Sequence, residues 1–328
     1  MKLATLKNGS RDGRLVIVSR DLAHAVDAAG IAPTLQAALD HWSRCERALH
    51  TLADALEAGT ARGAFAFDPA QAMAPLPRAH QFVDASAFLN HGDIMERAFN
   101  LTVKRPAGVP ILVQRQADDF RGPCDDYPFP SEADHCDYEG EFGVIVDDIA
   151  AGSTAAVCAR AIRLVVLLND VSMRRFVVPE LQMGFGFINA KPATTFAPVA
   201  VTPDELGPAW RDGRVDLDLR VLRNGELVGH PNGAEMDWGF GELLAHLAYN
   251  RDLRAGTVLG SGTVSNRRAE QVGSACLAEV RALETIAQGQ PATPWLRFGE
   301  RMRFEALDAQ GRSVFGAIDQ RFVAKEAA

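Results

Sequence analysis

The chain has 328 residues, and its 34 Lys and Arg against 42 Asp and Glu give a formal charge of −8 at pH 7. Hydrophobic residues make up 47% and charged residues 23%, which excludes a disordered chain, a collagen-like repeat and a coiled coil. No basic excess is available to neutralise phosphates, so nucleic acid is not an expected partner. No apolar run reaches the ~18 residues of a membrane span, so no membrane association is expected. The opening residues MKLATLKNGSRDGR lack the apolar core of a signal peptide. Five scattered cysteines (Cys45, Cys124, Cys136, Cys158, Cys276) form no C-x-x-C pair, so reduced thiols and a cytoplasmic location are expected.

In chain order, two short β-like runs come first, Lys2 to Lys7 and Arg14 to Ser19, separated by the turn-like Asn8-Gly9-Ser10 and Asp12-Gly13. An amphipathic helix follows. Leu35, Leu39, Trp42, Cys45, Leu49, Leu52 and Leu56 recur at steps of three and four and stack on one face. Thr34 reads as its N-cap and Gly59 as its stop. Asp68 to His80, with three prolines and little periodicity, reads as a linker. The expected division is a small N-terminal α+β domain over 1–75 and a second domain over 76–328. In the latter, Val144 to Val146 reads as a buried strand, and Ile162 to Leu168 as a strand or a helix. Val215, Leu217, Leu219 and Val221 alternate with more polar neighbours, the period of a half-buried strand, and Asn224-Gly225 supplies a hairpin turn. Glu242 to Asn250 resembles a short helix. Many short strands and few long helices indicate an α+β protein built on a sandwich or rolled sheet.

Three segments carry the chemistry. In Asp137-Tyr138-Glu139-Gly140-Glu141 the two glutamates are two apart and lead into a strand, so both carboxylates share one face. Side by side near an apolar core they repel and resist desolvation. A divalent cation relieves both penalties, and oxygen ligands suit Mg²⁺, Ca²⁺ or Mn²⁺. A solvated strand face carrying two acids is the plain alternative. Asp170 follows the apolar run 162–168 and stands at the mouth of a strand, where a rigid scaffold can hold a ligand. A turn or helix-capping aspartate is the alternative. Asp84 lies seven residues before His91, and a histidine can take a proton from water and return it to a leaving group. A structural histidine is the alternative. The other seven histidines show no H-E-x-x-H spacing, which argues against a zinc site.

Asp84 with His91, Glu139-Gly140-Glu141, Asn169-Asp170-Val171-Ser172, Lys191 and Leu259-Gly260-Ser261-Gly262-Thr263-Val264-Ser265 resemble, in this order, the motifs of the fumarylacetoacetate hydrolases. The resemblance runs over roughly 75 to 325 and implies that family's mixed β-sandwich roll, a divalent metal and a homodimer. It implies metal ligation by Asp84, Glu139, Glu141 and Asp170, and water activation by His91 with Glu279 as its acid partner. Lys191 is implied beside the metal, with Thr194 or Thr195 near it. Ser86, Arg97, Phe120 and Thr263 fall at substrate-binding positions. Their plain alternatives are a surface salt bridge for Arg97, core for Phe120 and a turn for Thr263. Ser86 stands where the family's prototype has an aromatic hydroxyl, and Phe176 and Val177 where polar substrate contacts are expected.

The implied activity is hydrolysis of a carbon–carbon bond in a small anionic 1,3-dioxo acid, of fumarylacetoacetate or acylpyruvate type, through an enolate stabilised by Mg²⁺, Ca²⁺ or Mn²⁺. Such reactions belong to the breakdown of aromatic compounds, tyrosine among them. A hydratase, isomerase or decarboxylase of a 2-oxo acid is the alternative, and a non-catalytic calcium-stabilised protein a further one. The acidic stretch Asp118 to Asp134 reads as a solvated loop or lid, Cys124 within it as incidental, and Gly260-Ser261-Gly262 as no phosphate loop.

Overall fold

The computed structural model describes residues 1–100 and 106–326. The opening residues form antiparallel strands Lys2–Leu6, Arg14–Val18 and His24–Asp27. The expected helix is two helices, Leu35–Leu39 and Trp42–Glu57. Thr34 does cap the first, its hydroxyl accepting from the Ala37 N–H at 3.2 Å. The break falls at His41, whose φ of −136° and ψ of 35° leave the helical region. The apolar stripe crosses the break intact, since Leu35, Leu39, Trp42, Cys45, Leu49 and Leu56 are all buried in one core against the N-terminal strands.

Lys2–Leu6 also pairs with Ala200–Val201, which pairs in turn with Ile162–Asn169, so the N-terminal strands continue the main sheet. From Ile162–Asn169 that sheet runs through Gly140–Val146, Val258–Gly260 and Phe82–Ala85 to Leu112–Arg115. Its described pairings are antiparallel except that between Val258–Gly260 and Phe82–Ala85. A second sheet holds Glu226–Gly229, Leu219–Arg223, Arg301–Ala306, Ile318–Ala324 and Tyr127–Phe129. Asn224 and Gly225, with φ of 52° and 86°, make the tight hairpin turn. The alternating run 215–221 is not one strand. It divides into Arg214–Val215, paired with Trp210–Arg211, and Leu219–Arg223, paired with Arg301–Ala306, with Asp218 bridging Asn232 between them.

Ile162–Asn169 is a strand, and Gly140–Val146 is buried along its whole length. Phe142 and Val144 pack in the core that includes Leu219 and Phe304 of the second sheet, while Ile145 packs with Leu164 and Val166 on the helix-covered face. Burial on both faces accounts for its near-continuous apolar run. The architecture is α+β. Among the described residues no helix is long and apolar enough to cross a membrane.

Candidate active site

Strand register brings the acids together. Gly260 pairs with Asp84 on one side and with Gly143 on the other, so Asp84 and Glu141 approach each other across the narrow strand between them. Gly260 permits the approach: a Cβ there would lie 2.5 Å from Asp84 Oδ1 and 2.9 Å from Glu141 Oε2. The Gly262 N–H donates to the same two oxygens, at 3.1 Å each. Its φ of +80° brings the backbone so close to Ala85 that a Cβ would meet the Ala85 carbonyl oxygen at 2.4 Å. Asp170, next after the strand Ile162–Asn169, completes the group. One oxygen each from Asp84, Glu141 and Asp170 lie within 4.8 Å of one another.

This triad is buried. Burial, then the neighbouring Asp170, pushes the Asp84 carboxyl up to about 7. Burial, then Asp84 and Asp170, holds Glu141 well above the usual carboxylate range. Glu141 Oε1 has no partner among the described residues. Crowded acids with an orphaned buried oxygen form a donor set that fits a hard divalent cation.

Glu139 is also buried, but its oxygens are already held. Oε1 accepts from Arg174 Nη2 at 2.6 Å, Ser172 Oγ at 2.9 Å and Lys191 Nζ at 3.0 Å, and Oε2 accepts from Thr263 Oγ1 at 2.9 Å. Burial alone would raise its pKa, but Lys191 and Arg174, with a contribution from the nearby His91, hold it far below the usual range. Lys191 links the two groups of acids, since its Nζ also donates to Asp170 Oδ2 at 2.8 Å. Burial works against its charge, yet Asp170 and Glu139 raise its pKa overall. Of the two threonines, Thr194 reaches the site, donating to Asp170 Oδ1 at 2.9 Å; Thr195 does not.

His91 stands in the first turn of the helix Leu89–Phe99, and Glu279 in the first turn of Leu277–Gln288. The helices pack together and place His91 Nδ1 2.7 Å from Glu279 Oε2. Ser274 Oγ donates to the other Glu279 oxygen at 3.0 Å, and Glu279 is fully buried. Ser86 is half-buried just past the end of Phe82–Ala85. Arg97 is exposed in the last turn of its helix and makes no ion pair among the described residues. Phe120 packs edge-on to Phe82 at 5.6 Å and against Phe196 at 4.8 Å. Its ring thus belongs to the aromatic core on the carboxylate face of the sheet, and Thr263 is engaged with Glu139.

Three site residues went unread. Arg174, four residues after Asp170, donates to both Glu139 and Asp137, the latter at 2.7 Å. Its spacing from Asp170 was a usable signal, more so than that of Phe176 and Val177. Asp137 opens the acidic motif and accepts from the Leu277 and Ala278 N–H groups at 2.7 and 3.0 Å, anchoring the helix that carries Glu279. Arg115 donates from Nη2 to Asp170 Oδ1; only its strand pairing with Phe82 brings it there. The acidic stretch is no free lid. Asp125 and Asp126 pair with Lys7 and Arg321, and Tyr127–Phe129 joins the second sheet.

Residues 1–78 match the family model described as fumarylacetoacetase N-terminal domain 2, and residues 80–323 that of the fumarylacetoacetate hydrolase C-terminal domain. The chain belongs to the fumarylacetoacetate hydrolase family. It is 26% identical over 202 residues to a 2,4-didehydro-3-deoxy-L-rhamnonate hydrolase of Sphingomonas sp. strain SKA58, covering 59% of this chain and 68% of that one. The fold is shared with a maleylpyruvate hydrolase from Sphingobium sp. SYK-6, solved with manganese(II) and pyruvate (TM-score 0.66, 15% identity, 99% and 100% of the two chains). It is shared also with a 5-carboxymethyl-2-hydroxymuconate delta-isomerase from Mycobacterium smegmatis (TM-score 0.61, 17% identity, 99% and 100%).

Proposed function

We propose that the protein is a divalent-metal-dependent hydrolase that cleaves a carbon–carbon bond in a small anionic 1,3-dioxo acid of acylpyruvate type. The observation that carries this reading is a buried carboxylate triad together with the His91–Glu279 pair at 2.7 Å, whose imidazole lies near enough to act on Glu139. A bound divalent ion, held by Asp84, Glu141 and Asp170 with the already hydrogen-bonded Glu139 behind them, would supply Lewis acidity toward the keto-enol oxygens. The Glu279 carboxylate accepts a hydrogen bond from the His91 Nδ1–H, which leaves Nε2 as the base. His91 takes a proton from water, and the hydroxide oxygen bonds to the distal carbonyl carbon. The carbon–carbon bond then breaks with its electron pair passing to the enolate, and the proton held by His91 returns to the enolate carbon. A carboxylic acid and a 2-oxo acid such as pyruvate are the products. Lys191 and Arg174 stand beside Glu139 as fixed positive charges for the developing enolate.

Charge supports a divalent ion. Five carboxylates, the four and Asp137 on Arg174, face the three cations Lys191, Arg174 and Arg115 and, if all ionised, leave two negative charges, which a divalent ion neutralises. An isomerase would use the same acids and Lys191 without hydrolytic water; the buried carboxylate behind His91 favours hydrolysis. A homodimer fits the exposed apolar group of Met183, Phe185 and Ile188, and an in-solution mass of one chain would remove it from the reading.

The test is a panel of acylpyruvates, fumarylacetoacetate, oxaloacetate and 2-oxopent-4-enoate with Mg²⁺ or Mn²⁺, following loss of enol absorbance and identifying both products. Acid plus 2-oxo acid supports the reading. Isomerised or hydrated product alone moves it to the alternatives, and silence with metal bound moves it to a structural metal.

A further inference from the structure

Arg115 ends the strand Leu112–Arg115, paired with Phe82 and so on the face that carries Asp84. Its guanidinium carbon lies over the Phe82 ring, 6.0 Å from the centroid. The side chain is 1% exposed, and its only described polar partner is Asp170 Oδ1. Nε and Nη1 are buried without partners. A guanidinium presents five donors in a rigid fork, so an arginine with its own socket would have most of them satisfied. Asp170 is the crowded one. Its two oxygens already accept from Thr194, Lys191 and Arg115, three of about four lone-pair positions. Lys191 is the better anchored of the two cations, because it bridges Asp170 and Glu139.

From these contacts we infer that Arg115 is an internal counter-cation of the carboxylate triad, which competes with a divalent ion for Asp170. The inference rests on the metal-binding reading of Asp84, Glu141 and Asp170 and adds to it a residue that weakens rather than strengthens metal affinity. Without the ion, Arg115 compensates buried negative charge; with it, the two positive groups compete for the same oxygens. The two unpaired guanidinium nitrogens, Nε and Nη1, would remain beside the ion as donors suited to a carboxylate.

Binding of Mn²⁺ to the whole protein, measured by calorimetry on wild type, Arg115→Gln and Glu141→Gln, tests this directly. Arg115→Gln should bind Mn²⁺ at least tenfold more tightly than wild type, and its melting temperature should rise more on adding the ion. An arginine that merely braces the site would give the opposite sign on removal. If Arg115→Gln does not fold without metal, purification with Mn²⁺ followed by chelator titration yields the same constant. Unchanged or weaker affinity in Arg115→Gln, with wild-type binding abolished by Glu141→Gln, overturns the role of Arg115 alone. Wild-type binding that is absent, or indifferent to Glu141→Gln, overturns the metal reading and this inference with it.

Discussion

Replacing Glu279 by Gln isolates one charge in the catalytic pair. The side chain is fully buried, with one oxygen 2.7 Å from His91 Nδ1 and the other accepting from Ser274 at 3.0 Å. Gln keeps the volume and can still hydrogen-bond both neighbours, so folding should change by less than ~1 kcal/mol. The loss falls on the transition state, where His91 carries the water proton and needs the carboxylate behind it. Removing an equivalent supporting charge or a general base costs about 10² to 10⁴ in rate, or about 2.7 to 5.4 kcal/mol. We expect kcat/KM on the best acylpyruvate to fall within that range, with an unchanged melting temperature. His91→Ala should lose at least as much, and the double variant no more than His91→Ala alone, because the two residues act as a unit. A Glu279→Gln enzyme within threefold of wild type would refute the assigned pair, as would losses in the two single variants that multiply in the double.

Three further outcomes follow from the geometry. Asp84 and Glu141 hold protons more tightly folded than unfolded, so the metal-free protein should lose stability as pH rises from ~4 through about 7. In EDTA its melting temperature should be lower at pH 8 than at pH 5.5, and Mg²⁺ or Mn²⁺ should restore more at pH 8; a rise with pH in EDTA would contradict the shifts. Gly260→Ala places a Cβ 2.5 Å from Asp84 Oδ1 and should weaken Mn²⁺ binding by about 10- to 100-fold in calorimetry, where undiminished affinity would show that the carboxylates can spread. Arg174→Met leaves Asp137 and Glu139 short of their buried partner and should cost about 3–5 kcal/mol in urea unfolding; a loss under ~1 kcal/mol would mean those acids find other partners.

The local signals were readable where one stretch of chain decides the outcome. Asn224-Gly225 turns a hairpin because both residues tolerate positive φ, and Glu141 lies in a strand, Gly140–Val146, that starts one residue after Glu139. The helical stripe was visible, but the break at His41 was not, since the apolar spacing continues across it. Pairing between distant strands was hidden. Gly260-Ser261-Gly262 reads as a turn, and its use as a carboxylate-bridging backbone depends on lying between Asp84 and Glu141. Arg115 owes its place to the register with Phe82, 33 positions away, which periodicity does not encode. The order of the acids follows the family's motifs, whereas the cations that balance them, Arg174 and Arg115, are brought to the acids by the fold.

The most direct measurement is an anomalous difference map from crystals grown with Mn²⁺. One strong peak about 2.0–2.6 Å from an oxygen of each of Asp84, Glu141 and Asp170 is the expected result. At saturating Mn²⁺, a peak elsewhere, or none at these three side chains, would contradict a metal centre in this cleft and with it the proposed hydrolysis.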